Sequence, residues 1–503
     1  MPSLSKLFRQ ILLLAVVVGI SLVLSLASTG TQTISVSPNV KVIRDNNNVP
    51  CPAGAKPDPT FDCFHRQQAE PDIAVDPQDP TILVAGAFDS RMLPVIGVGW
   101  FGYHRSTDGG KTWANSFIPG FPGDTSPEGK ASPLSDKGSN GDAVLAFDNL
   151  GNVFYGGLVF DRNNDYASVT VYSQHGAKYE RTTLAFDITG FPDKPCMAVD
   201  TAGGKYNGNL YIGVTRFGTG ATNRPTVAFT RSTDHGVTFA PLQTLTGVSP
   251  QGCAITVGPD GAVYFVWRLF SGGTDTIKFV KSIDGGQSFT TPSSVQDITP
   301  FDQARNNPNT FRSASFPTIA ADQKGIYVAW HDGGSGKSRV VISCSSDGGQ
   351  NWSTPVQVTG DAQNGHQVMP ALKASNGKLR IAWYDSRNDP RFAPSAFIGE
   401  ALDVYYAEAL SGCPVSFPTS SVRVTDKSFN PNLRLYGGGT LPFIGDYIGI
   451  ASDGTHTHIA WTDNRDVAPQ PVANPPCDPN RAETLNSGCR NQNIYVGTVT
   501  SNP

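Results

Sequence analysis

Three observations predict an all-β protein, a β-propeller of four-stranded antiparallel blades. A unit of paired apolar strands repeats seven times, an eight-residue turn motif repeats within it, and 53 Gly and 38 Pro among 503 residues make the chain rich in turns. The unit is roughly fifty to seventy residues long, the range of propeller blades. Charged residues at 16% and aromatics at 10% suit short strands joined by tight turns and exclude a helical bundle or a disordered chain. A formal charge of -4 offers no basic field to a phosphate backbone, so nucleic acid is not an expected partner.

Each unit opens with a short apolar strand ending near Asp or Gly: PDIAVD from Pro71, DAVLAFD from Asp142, CMAVD from Cys196, CAITVGPDG from Cys253, PTIAAD from Pro317, PALKASNG from Pro370 and DYIGIASDG from Asp446. A second strand follows, as in ILVAGAFD from Ile82, IYVAWHD from Ile326 and LRIAWYDSR from Leu379, rich in the Val, Ile, Tyr and Trp that pack between sheets. Seven blades is the count, with six as the alternative. The last unit ends with NIYVGTVT from Asn493 and lacks a fourth strand, which residues 33–42 could supply. Such a strand would close the ring and remove an exposed sheet edge.

Lys6 and Arg9 precede an apolar run over residues 11–26, with small Ser25, Ala27 and Ser28 after it, so residues 1–27 read as a signal peptide or membrane anchor. Residues 28–70 then hold the closing strand and a disulfide loop, and 71–503 the propeller. The body of the chain is expected outside the cytoplasm, secreted or at the cell surface, touching a membrane only through that anchor. Eight cysteines agree with an oxidising compartment. Cys51 with Cys63 and Cys477 with Cys489 bracket Pro-rich loops, while Cys196 and Cys253 occupy matching places in successive units, which leaves Cys344 and Cys413 as a fourth pair. Residues 466–489 read as a stapled insertion able to act as a lid.

The turn motif, S-x-D-G-G-x-x-W in form, occupies residues 106–113, 232–239, 282–289 and 345–352, with a worn copy at 173–179. Its Asp can accept backbone N–H groups, its Gly can take positive φ, and its aromatic can fold back on the blade. These octets resemble the Asp boxes of the sialidase (neuraminidase) superfamily, whose repeats are also called BNR repeats. The resemblance spans roughly residues 70–500 and implies that Asp108, Asp234, Asp284 and Asp347 are structural. It also implies a binding site near the axis on the opposite face, where loops enter first strands and leave second strands. The chain lacks the F/Y-R-I-P segment of sialidases, its nearest feature being residues 42–45.

Loops leaving second strands carry Asp89 and Arg91, Asp161 and Arg162, Arg216, Arg268, Asp332, Asp385 and Arg387, and Asp463 and Arg465. Arg91, Arg162, Arg216, Arg268, Arg387 and Arg465 are therefore candidate ligand-binding residues, able to clamp an anion by paired hydrogen bonds. Each Asp and Arg pair could instead close its own blade. Loops entering first strands add Arg66, Glu70, Asp72, Asp142, Asp193, Lys194, Arg312, Asp446 and Tyr447. Glu70 and Asp446 break the apolar pattern at the start of inner strands, so they are the candidate catalytic acids if burial raises one of them, and Tyr447 is the candidate nucleophile that the resemblance implies. No metal-ligand spacing or cofactor motif is present; calcium at an acidic turn such as 161–165 is the one cofactor left open. The expected function is an exported carbohydrate-active enzyme, a glycoside hydrolase acting on acidic extracellular glycans or glycoproteins. The alternative is a noncatalytic propeller that binds glycan or protein at the cell surface.

Overall fold

The structure, a computed structural model, describes residues 34–45, 52, 54–92, 99–161, 165–188, 190–218, 224–246, 249–271, 274–304, 306–360, 364–392, 397–436, 441–467 and 491–501. The proposed leader, Arg162, Cys51, Cys477, Cys489 and most of the proposed lid lie outside those residues, as does much of the acidic turn at 161–165. Seven antiparallel sheets form the blades. Their inner strands are Gln68–Val75, Ser139–Phe147, Phe191–Val199, Pro250–Val257, Thr318–Asp322, Gln367–Ser375 and Gly449–Ser452, and each packs on the next, with the seventh returning to the first. The fold is thus a seven-bladed propeller with almost no helix.

In the seventh blade, Asn493–Ser501 pairs on its outer side with Ile34–Val36, and Val40–Lys41 pairs further along the same strand. The edge of that sheet is therefore occupied by the other end of the chain. Cys196–Cys253 joins the inner strands of the third and fourth blades, and Cys344–Cys413 links the fifth blade to the sixth. Cys63 is also disulfide-bonded. Such bonds persist in an oxidising, extracytoplasmic environment.

Packing between blades rests on large side chains from second strands. Trp267, Trp330, Trp383 and Trp461 are buried almost completely, between one sheet and the next. A buried indole N–H wants an acceptor, and for three of the four the sequence supplies it two residues on: Trp330 donates to Asp332, Trp383 to Asp385 and Trp461 to Asp463, at 3.2, 2.9 and 2.9 Å. Two of these carboxylates, Asp385 and Asp463, also clasp an arginine. Arg387 donates from its backbone and from Nη2 to Asp385, at 2.8 and 2.6 Å. Arg465 repeats this on Asp463, and Arg91 does so on the buried Asp89.

The Ser-x-Asp octets join the blades at the opposite face. In 282–289, Asp284 Oδ1 accepts the backbone N–H groups of Gln287 and Ser288 at 2.9 Å each, and Ser282 Oγ accepts from Gly286 N at 2.9 Å. Gly285 and Gly286 sit at φ 68 and 77, where a side chain would be strained. The octet's last aromatic packs on the preceding blade: Phe289 lies edge-on to Phe229, and Trp352 to Phe279. Trp113 of the first blade does the same against the seventh, in a cluster with Ala460 and Val496.

Two outcomes test these interactions. Asp463→Ala would leave the nearly buried Arg465 guanidinium with Asp426 and Asn39 as its remaining partners and the Trp461 indole N–H without its acceptor, and chemical denaturation should show a loss of about 1–3 kcal/mol, with a smaller loss for Asp463→Asn. Burial is the largest influence on Asp284 and pushes its carboxyl up, but hydrogen bonds from Ser288, Ser282 and the turn outweigh it and hold the group at about 2. The stability it contributes is complete above the ordinary value of 3.8 and is lost as pH falls through about 2. Calorimetry between those values should therefore find a shallower decline in Asp284→Asn.

Candidate functional site

Backbone geometry at one mouth of the central channel sets the site. Five of the seven inner strands run three to five residues further upstream than their apolar runs, through polar positions, and each of the five carries a β-bulge there. Pairing breaks between Ala69 and Asp72, Gly141 and Val144, Asp193 and Cys196, Gln251 and Ala254, and Val368 and Ala371. In each break one residue takes the left-handed conformation: Glu70, Asp142, Lys194, Gly252 and Met369, at φ 55, 59, 50, 70 and 53. That conformation costs a non-glycine residue about 1–2 kcal/mol, and bulges gather where a side chain has to be re-aimed. Four non-glycine residues held this way at one ring mark it as a functional surface.

The re-aimed side chains meet. Arg312, from the loop before the fifth blade, grips Asp446 with Nε and Nη2 at 2.8 and 2.6 Å, and the same Nη2 lies 3.8 Å from Glu70 Oε1. Lys194 Nζ is 3.3 Å from Asp446 Oδ2, the oxygen that Arg312 Nη2 also bonds, and its ammonium lies 4.9 Å from the Tyr447 and Phe316 ring centres. Glu70 shares a hydrogen bond with Asp142, and Asp193 accepts from Gln251. The hairpin strands Arg434–Tyr436 and Leu441–Pro442 lead into a wall in which Phe443 lies under the Arg312 guanidinium, 4.6 Å from its centre.

Four carboxyl groups thus share a mostly buried space with two cations, and their environments push them apart. Burial raises Glu70 well above the usual carboxylate range, and repulsion from Asp142 and Asp446 adds to it. Asp193 is raised to about 6, first by burial and then by Asp142. Burial also acts against ionised Asp446, yet Lys194 and Arg312 outweigh it and bring that group below its ordinary value. A protonated acid therefore stands beside an ionised carboxylate, and both touch one guanidinium nitrogen.

The candidate residues fall into separate groups. Glu70, Asp446 and Tyr447 come together at this mouth. The Tyr447 hydroxyl, however, donates to the Ala143 carbonyl at 3.4 Å, and burial with the nearby Glu70 and Asp142 raises the phenol well above its usual value. Arg91, Arg387 and Arg465 are engaged in the clasps described above, and Arg268 is held by Asp275 and Asp302 at 2.6 and 2.7 Å. Arg216 is half-buried where the second strand of the third blade ends, and Arg162 is outside the described residues. Arg91, Arg268, Arg387 and Arg465 are thus each already engaged by carboxylates. Asp142, Asp193, Lys194 and Arg312 were legible only as loop residues; the signal that singles them out is a charged residue just ahead of an apolar run, repeated in successive units. An axial cavity of about 840 Å³ opens toward the opposite face. Asp322 is the one carboxylate in its wall, so the paired acids lie elsewhere.

The class defined by this architecture is a seven-bladed β-propeller with a carboxyl-rich axial mouth. No family model matches the sequence, and no curated protein does. Among solved structures it is similar to the Hadza microbial sialidase Hz136, at 13% identity over 66% of this chain and 64% of that one, with a TM-score of 0.41. It is also similar to the GH93 α-L-arabinofuranosidase of Fusarium graminearum complexed with arabinobiose, at 14% identity over 69% and 92%, TM-score 0.41. A leech intramolecular trans-sialidase overlays at 14% identity over 82% and 67%, TM-score 0.39. Overlays this loose carry no residue and no activity across to this chain.

The raised acids give a pH signature. A carboxyl that holds its proton more tightly when folded adds stability at low pH and loses it as pH rises toward the folded value. For Asp193 that decline runs from 3.8 to about 6, and for Glu70 it starts at 4.5 and ends well above. Thermal midpoints of Glu70→Gln should therefore fall less than those of the wild type as pH rises from acid to neutral.

Proposed function

We propose that this protein is a glycoside hydrolase whose chemistry sits at the axial mouth, with Glu70 as general acid and Asp446 as the ionised partner. One observation carries the reading: the two carboxyl groups contact one Arg312 nitrogen while their surroundings push their proton affinities in opposite directions. Glycosidic cleavage uses such a pair, one protonating the departing oxygen while the other meets the positive charge that grows on the sugar ring. The shared nitrogen bounds the gap between the nearest oxygens below the roughly 6.5 Å at which inverting pairs begin, which favours a retaining course. Asp142 orients Glu70, and Lys194 and Arg312 keep Asp446 ionised.

The substrate in this reading is a neutral sugar. An acidic glycan was expected from an arginine ring, but four of those arginines are engaged by carboxylates, and the two cations at the mouth are already taken up by Asp446. Tyr447 serves as a wall for Lys194 rather than as nucleophile. The octets fit the role of Asp boxes, and export fits the disulfides. A second reading, glycan binding without catalysis, is favoured by the way both oxygens of Asp446 are already engaged.

The test is release of reducing sugar from neutral arabino-, galacto- and xylo-oligosaccharides and from sialylated and uronic substrates. Release from a neutral substrate, lowered about 10² to 10⁴-fold in Glu70→Gln, is the expected result. Equal rates in the variant, or release from acidic substrates alone, would sink this assignment.

A further inference from the structure

Phe191 opens the inner strand of the third blade, two residues before Asp193, and remains 46% exposed. Alternate residues share one side of a strand, so its ring stands on the Asp193 side about 7 Å further out. It stacks on Phe160 of the second blade with centroids 5.6 Å apart and planes 15° from parallel, and Phe217 flanks it at 6.2 Å. Gly190 before it takes φ 118, and a side chain there would strike the Phe217 carbonyl at 2.1 Å, so the strand entry is shaped around this contact. The three rings form a row at the entry of the strand that carries Asp193.

Among the described residues the two exposed aromatic side chains, Phe191 and Phe397, stand on the mouth face, whereas the aliphatic Leu150, Val237, Ile283 and Leu410 sit at turns of the opposite one and Val356 on the outer strand of the fifth blade. An aliphatic patch would serve protein contact equally well, but aromatic rings beside carboxyl groups suit a ligand with both hydroxyls and C–H faces. Charge points the same way: a neutral chain can run past Asp193 and Asp142 without repulsion.

The geometry points to a sugar-binding platform formed by Phe160, Phe191 and Phe217, which holds the continuation of a neutral oligosaccharide or polysaccharide whose reacting bond lies at Glu70 and Asp446. This deepens the glycan reading of the mouth and rests on it. The substrate class is thereby a chain of several sugars, and a lone terminal residue would leave the platform empty.

The test uses the full chain carrying Glu70→Gln, so that a bound polymer stays intact, in affinity electrophoresis through linear arabinan, galactan, xylan or polygalacturonate. Retardation by a neutral polymer is expected, weakened about tenfold in apparent Kd by adding Phe191→Ala and recovered with Phe191→Trp. Because Phe191 is exposed, circular dichroism should show that both added variants fold. Equal retardation with and without Phe191→Ala, or retardation by polygalacturonate alone or by no polymer, overturns the platform. Phe191-dependent retardation without hydrolysis by the wild type defeats the catalytic reading and leaves the platform standing.

Discussion

Four carboxyl groups cannot all remain ionised in a poorly solvated space that holds two cations, and the mouth of this propeller is built around that constraint. Glu70, Asp142, Asp193 and Asp446 face Lys194 and Arg312. The cations are not shared evenly: Arg312 turns both arms of its fork to Asp446, and Lys194 approaches the same carboxylate. Glu70 is left 3.8 Å from a guanidinium nitrogen that already bonds Asp446, and beside neighbours of like charge. The proton therefore stays on Glu70, and the unequal division creates an acid and a base from two chemically similar side chains.

That division depends on backbone more than on side-chain choice. The four left-handed non-glycine residues are costly individually, and the ring over-determines them. Cys253, bonded to Cys196, sits next to the bulged Gly252 and contacts the Lys194 carbonyl at 3.3 Å. Phe316 packs so closely on Gly252 that a Cβ there would meet its ring at 2.1 Å. Further out, the tryptophan and arginine clasps fix the second strands, and the octet aromatics tie each blade to its predecessor. The strain at the mouth is thus held by a rim that takes no part in the chemistry.

The fold was legible because its signals are local and repeated. Alternating apolar strands and the Ser-x-Asp octets recur at fixed places, and each has its own physical reason. The disulfide Cys196–Cys253 could be read from matching positions, and Cys344–Cys413 was the pair left over. The site was legible only in outline. Glu70, Asp446 and Tyr447 do share a mouth, but the arginines drew attention because a repeated residue resembles a repeated ligand. Their partners are separated from them by anything from two residues, for Asp385, to 39, for Asp426 beside Arg465. Bulges were invisible for a related reason: Asp142 and Lys194 looked like loop residues, since a register break shows no apolar pattern.

The account stands or falls on the proton held by Glu70. Infrared difference spectroscopy across a pH titration reads it directly through the carboxylic C=O stretch, which disappears on ionisation. A protonated carboxyl that persists above pH 7, beyond Asp193 at about 6 and Asp62 at about 7, and that is missing from Glu70→Gln is the predicted result. Complete ionisation of every carboxyl by pH 5 would contradict it.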